Sequence, residues 1–132
     1  MRIYVTHCCA KKDNSLQEAR REATPQELYK ARPTQRFMHR CVAKGVRWAI
    51  FSDLHGVWFP EIKRPWYEKS PNTVTTDEFA ALLKDFDRTL GQFTEIWFYY
   101  NPGRFHLLYR MLLQESALKD KIKSITHLSD IT

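Results

Sequence analysis

At 132 residues, with 43% hydrophobic and 14% aromatic content, the chain has the length of one domain and enough apolar surface to bury a core without staples. A mean hydropathy of -0.53 and no long apolar run exclude a transmembrane helix, and the charged opening does not fit a secretory signal. The net charge of +6 is compatible with nucleic acid or a phosphorylated ligand, and three cysteines form no disulfide framework, so a cytoplasmic protein is expected.

The first element is a short strand over Arg2 to Thr6, built from Ile3, Tyr4, Val5 and Thr6. It breaks into His7-Cys8-Cys9-Ala10-Lys11-Lys12, where two thiols lie beside an imidazole and two ammonium groups. Nearby positive charge favours a thiolate, so Cys8 reads either as a reactive thiol or as a small core residue. Asp13 to Thr24 is polar without an apolar period and reads as a surface loop. Thr24-Pro25-Gln26-Glu27 then carries the signals of a helix start, with a capping threonine, proline at the first position and Glu27 to complete a capping box. That helix is short, because Pro33 interrupts it and opens a second helix running to Lys44, closed by Gly45.

Arg47 to Ser52 is nearly all apolar, as expected of a strand covered on both faces. A connection rich in aromatics and prolines follows from Asp53 to about Thr75, and its Trp58, Phe59, Trp66 and Tyr67 are expected to pack as a lid or wall. Thr75 and Glu78 form a second capping box, and Phe79, Leu82, Leu83, Phe86 and Leu90 give the next helix one buried face. Thr94 to Tyr100 is a third strand. Asn101 then caps a fourth helix with Pro102 at its first position, and a last strand is expected over Ile122 to Leu128.

Strands alternating with helices imply βαβ units, hence an α/β three-layer sandwich of the Rossmann-like or flavodoxin-like kind. About four mainly parallel strands would carry helices on both faces. Ligands in such sheets gather at the carboxyl ends of the strands. Those ends carry His7 to Lys11, then Ser52-Asp53-Leu54-His55-Gly56, then Asn101-Pro102-Gly103-Arg104, then Ser129-Asp130. Cys8, Lys11 and His55 are therefore the candidate catalytic residues: nucleophile, activating cation and proton donor. Ser52, Asp53, Gly56, Asn101, Gly103 and Arg104 are the candidate ligand-binding residues. In particular, Asn101 to Arg104 has the form of an anion site at a helix start. Each also has a plainer reading, as an exposed lysine, a structurally satisfied histidine or an ordinary cap. No CxxC or HxxxH pair, P-loop or GxGxxG is present, so no metal and no cofactor are expected.

Cys8-Cys9-Ala10-Lys11-Lys12 resembles the C-[SA]-x-K opening of the YaaA-like family of small uncharacterised proteins. The likeness continues through Glu27-Leu28-Tyr29-Lys30, and through Trp48 to Val57, which is similar to that family's "ILSAxxGLL" segment. Pro60, Ile62, Pro65 and Tyr67 are similar to its "P…I…PY" tail, so the resemblance spans roughly residues 3 to 70, about half the chain. Leu54 and Asp53 stand where the family often has Lys and Ala. A more distant likeness is to the catalytic domain of archaeosine synthase, an enzyme of tRNA deazaguanine modification, but Asp13 and Asn14 follow Lys12 in place of its Pro-Tyr pair. The resemblance implies the α/β fold and a site at Cys8. With the residues it leaves two expectations: an enzyme acting on a nucleobase or nucleotide through Cys8, or a module that holds nucleotide or nucleic acid in the same pocket without chemistry. The sequence fixes no oligomeric state.

Overall fold

A computed structural model describes residues Met1–Thr132. Five strands form one sheet in the order β3-β2-β1-β4-β5. They are β1 (Arg2–His7), β2 (Trp48–Ser52), β3 (Gly56–Trp58), β4 (Glu95–Tyr99) and β5 (Ile122–Ile125). Pairings β1–β2, β1–β4 and β4–β5 are parallel, and β3 folds back antiparallel on β2. The sheet is thus mixed and five-stranded, where four mainly parallel strands were expected. The missed strand is only three residues long and lies inside the aromatic connection. The turn before it depends on Gly56, whose φ of 75° is left-handed and whose missing Cβ would collide with the Asp85 carboxylate.

The helices are α1 (Asn14–Ala19), α2 (Pro25–Leu28), α3 (Arg32–Lys44), α4 (Thr76–Leu90) and α5 (Leu107–Glu115). None is long and apolar enough to cross a membrane. Both capping boxes form. Glu27 accepts from the Thr24 N–H at 3.0 Å, while Thr75 Oγ1 accepts from the Glu78 N–H at 3.1 Å and Glu78 returns the contact to the Thr75 N–H at 2.9 Å.

Three elements differ from the sequence reading. The expected loop at 13–24 contains α1, which has no apolar stripe; Asp13 caps it by accepting from Ser15, and its one anchor is the buried Leu16. The last strand stops at Ile125, and Ser129–Asp130 turn away from the carboxyl edge. Arg40 of α3 holds that tail by donating to the Ile131 carbonyl at 3.0 Å. The fourth helix does not start at Pro102: residues Pro102–Arg104 make a single 3-10 turn, and α5 begins only at Leu107.

Phe37 of α3 packs on Trp48 and Tyr99, placing α3 on one face of the sheet. Phe86 of α4 and Tyr109 of α5 both pack on Phe51, which points to the other face. The fold is α/β, with helices packed on both faces of the mixed sheet. Chain direction also follows from these positions: the chain leaves β1 toward β2 and leaves β4 toward β5, so strand order switches between β1 and β4. In an open α/β sheet a crevice forms at that point.

Candidate functional site

The carboxyl edge of the sheet holds two separate polar features. The first is an open cleft at the β1/β4 switch point. It has a volume of about 160 Å³, and His7, Cys9, Tyr99, Tyr100, Asn101 and Arg104 line it beside Thr6, Pro33 and Thr34. Its floor is fixed by Thr6 Oγ1, which donates to the Tyr99 carbonyl at 2.7 Å and ties the two strand ends together. The His7 ring lies flat on Tyr109, 4.7 Å between centroids, and its Nδ1 pairs with the Cys8 carbonyl at 2.8 Å. Burial holds the His7 pKa below its ordinary value, so the ring is neutral at pH 7. Arg104 is exposed and makes no ion pair, and the Cys9 thiol donates to the Lys11 carbonyl at 3.3 Å.

The second feature is closed. Cys8 is 7% exposed, Tyr109 Oη lies 3.2 Å from its Sγ, and the Asp53 N–H donates to that sulfur at 3.4 Å. Around it runs a chain of hydroxyls: Ser52 Oγ donates to Tyr67 Oη at 3.0 Å, and Tyr67 pairs with Tyr29 Oη at 2.6 Å. Ser52 Oγ also accepts the Leu54 and His55 N–H groups, which shapes the turn after β2. Lys12 is buried here with its ammonium 4.6 Å from the centre of the Tyr67 ring.

Several expectations change at this point. Cys8 was read as a candidate thiolate. Instead burial, reinforced by the Asp53 carboxylate beside it, pushes its thiol up to about 12. Lys11, the expected activator, is exposed, and the buried lysine is its neighbour Lys12. One residue of offset decides this, because the backbone pairs Lys12 with Tyr29 in an isolated bridge and so turns alternate side chains inward.

The expected anion site is also closed: Asn101 Oδ1 accepts the Gly103 N–H at 2.9 Å, and His106 Nδ1 caps α5 by accepting from Leu108. Gly103 therefore offers no free donor, and only Asn101 and Arg104 of that segment reach the cleft. His55 and Asp53 line a third cavity against α4, about 200 Å³, together with Glu78 and Asp85. Gly56 serves the β2–β3 turn and Ser52 the hydroxyl chain. The candidate residues share one edge of the sheet but not one cavity.

No group of three or more His, Cys, Asp or Glu side chains gathers at metal-binding distance. Sequence reasoning missed Lys12, Tyr29 and Tyr109 as members of the Cys8 cluster; it expected Tyr67 in a wall beside the site, and it placed His7 and Cys9 at the strand end without giving them a site role. A buried lysine has no sequence signal of its own, and Tyr109 comes from a helix a hundred residues away. Trp58 and Tyr67 of the aromatic connection are core residues and Trp66 packs against that core; Tyr67 and, through Tyr29, Trp58 border the Cys8 cluster, whereas Phe59 lies under Arg47 at the other end of β2. No family model, no curated protein and no solved structure matches this chain.

Proposed function

We propose that this chain is a binding domain for a nucleotide or nucleobase-type ligand, held in the cleft between the ends of β1 and β4 without covalent chemistry at Cys8. The observation that carries this reading is the cleft itself. It lies at the switch in strand order, where open α/β sheets take their ligands. Tyr99 and Tyr100 line it, together with the Asn101 amide and the unpaired Arg104 guanidinium. A guanidinium suits phosphate bidentately, and aromatic faces suit a base. The YaaA-like resemblance belongs to the same proposal, as does any nucleic acid carrying such a nucleotide.

The rival reading, nucleophilic attack by Cys8, needs a thiolate near neutral pH. A thiol at about 12, enclosed by Tyr109 and Asp53, weighs against it. Calorimetric titration of adenosine and guanosine monophosphates at 150 mM salt, against the natural chain and Arg104→Ala, tests the proposal. A loss of affinity of about tenfold or more in the variant is expected, equivalent to about 1.4 kcal/mol. Equal affinity, or binding that vanishes by 150 mM salt, overturns it, because screened surface charge explains the latter.

A further inference from the structure

Residues 28–52 hold six basic side chains and no Asp or Glu. The chain has 21 basic and 15 acidic residues, so this one stretch carries the whole net charge of +6 and the remainder balances. Of the six, Arg47 alone has a carboxylate partner, in Glu61. Lys30, Arg32, Arg36, Arg40 and Lys44 make no ion pair. Asp13 lies in the field of Lys30 but is bonded to Ser15, and Asp130, on the tail that Arg40 holds, pairs with none of them.

Four of these five belong to α3, at a strict spacing of four residues. Such a row follows one side of a helix at about 6 Å per step, or about 18 Å from Arg32 to Lys44. Arg32, Arg36 and Lys44 are exposed, and Arg40 is half-buried where it donates to the tail carbonyls. The other side of the helix, with Thr34, Phe37, Met38 and Cys41, is buried. This pattern works against the helix that carries it. Like charges at i and i+4 repel, and a cation in the first turn opposes the macrodipole. α3 also opens without a side-chain cap and without an acidic residue in its first turn. That opening lies at the switch-point cleft, which Ala31, Pro33 and Thr34 line together with Arg104. The basic row therefore starts at the cleft and leads away from it over the outer face of α3.

We infer that α3 is the phosphate track of a single-stranded nucleic acid, one base of which occupies the β1/β4 cleft. The inference rests on the nucleotide reading of that cleft and names its substrate as a polymer. Arg104 meets the phosphate of the bound nucleotide, and Arg32, Arg36 and Lys44 meet those of its neighbours along the strand. A nucleic-acid backbone repeats its charge at a regular interval, as this row does. A single strand is selected over a duplex, because a paired base is stacked and cannot enter a cleft of about 160 Å³. An acidic peptide answers the charges but brings no base to the cleft.

The test is fluorescence anisotropy of the full chain at 150 mM salt with labelled single strands of about ten nucleotides, RNA and DNA, and the matching duplex. Polyglutamate serves as competitor, and calorimetry gives the affinity for guanosine monophosphate. The RNA or the DNA strand should bind at least about tenfold more tightly than the monophosphate, and the stronger of the two names the sugar. The double variant Arg36→Gln/Lys44→Gln lies outside the cleft and keeps good helix formers, so it should fold as the natural chain does. It should retain monophosphate affinity, lose strand affinity, and flatten the log–log salt slope by about 1.4, at about 0.7 for each phosphate contact removed. Monophosphate binding with no gain from length overturns this inference alone. Equal binding of the duplex, equal competition by polyglutamate, or a double variant that keeps strand affinity and slope does the same. Failure of the monophosphate to bind, with strand binding indifferent to Arg104→Ala, sinks the nucleotide reading of the cleft and this inference with it.

Discussion

The switch-point cleft and the Cys8 cluster lie on the same edge of one sheet, and adjacent cysteines belong one to each. Cys9 lines an open cleft beside Arg104, while Cys8 is sealed among Tyr109, Asp53 and the hydroxyl chain of Ser52, Tyr67 and Tyr29. The same flanking residues in sequence thus give two thiols opposite surroundings. Proximity to His7, Lys11 and Lys12 along the chain says little about the field at a sulfur atom, since desolvation and the side chains packed around it outweigh it.

The sharpest way to break this contrast is thiol labelling. With Cys8 at about 12, its thiolate fraction at pH 8 is about one in ten thousand. Iodoacetamide on the native chain should modify Cys9 at least about a hundredfold faster than Cys8 or Cys41, all three reacting once unfolded. Peptide mapping that finds Cys8 labelled as fast as Cys9 restores the nucleophile reading.

Alkaline stability is the next largest effect. Cys8 and Cys41 ordinarily titrate at 9.0 and are raised to about 12 by burial, and the same cause lifts Tyr29, Tyr67 and Tyr109 well above their usual value. A pKa higher in the fold than in the unfolded chain contributes stability that is complete below the unfolded value and lost as pH climbs. Stability should hold to about pH 9 and then fall steeply through pH 12, each thiol contributing about 1.4 kcal/mol per unit of separation. Cys8→Ala should flatten that slope measurably in denaturant titrations. An unchanged slope means Cys8 is more hydrated than its packing indicates.

A smaller contrast comes from paired variants. Tyr67→Phe strands the buried hydroxyls of Ser52 and Tyr29 and should cost about 1–3 kcal/mol, whereas Arg104→Ala at the exposed cleft rim should stay within about 0.5 kcal/mol. Equal losses in urea unfolding would show that the two regions do not differ in rigidity. Smallest is the acid response. His7 and His55 are held below their ordinary 6.5 by burial, so their contribution is complete above pH 6.5 and drains below it. Asp53, raised by burial, works in the opposite sense, its contribution being present below its ordinary 3.8 and lost as pH rises. Between pH 7 and 5 the histidines dominate, and Tm should fall by roughly a few degrees. A flat profile over that range removes His7 as a buried neutral ring.

The sequence by itself determined the elements whose cause is local. Both capping boxes, the apolar face of α4 and strands β1, β2 and β4 follow from residue type and spacing within a dozen positions, and their order dictates helices on both faces of a largely parallel sheet. The residues destined for the carboxyl edge were legible for the same reason, since a strand's end follows from its pattern. Tertiary structure alone decided the rest. The short β3 exists because β2 is there to pair with, α1 is held through the single buried Leu16, and Asn101 folds back on Gly103 instead of opening a helix. Which thiol is sealed, which lysine turns inward and which tyrosines surround them depend on contacts between residues as far apart as Cys8 and Tyr109. Burial and its effect on charge belong to the packed whole, and no run of neighbours along the chain encodes them.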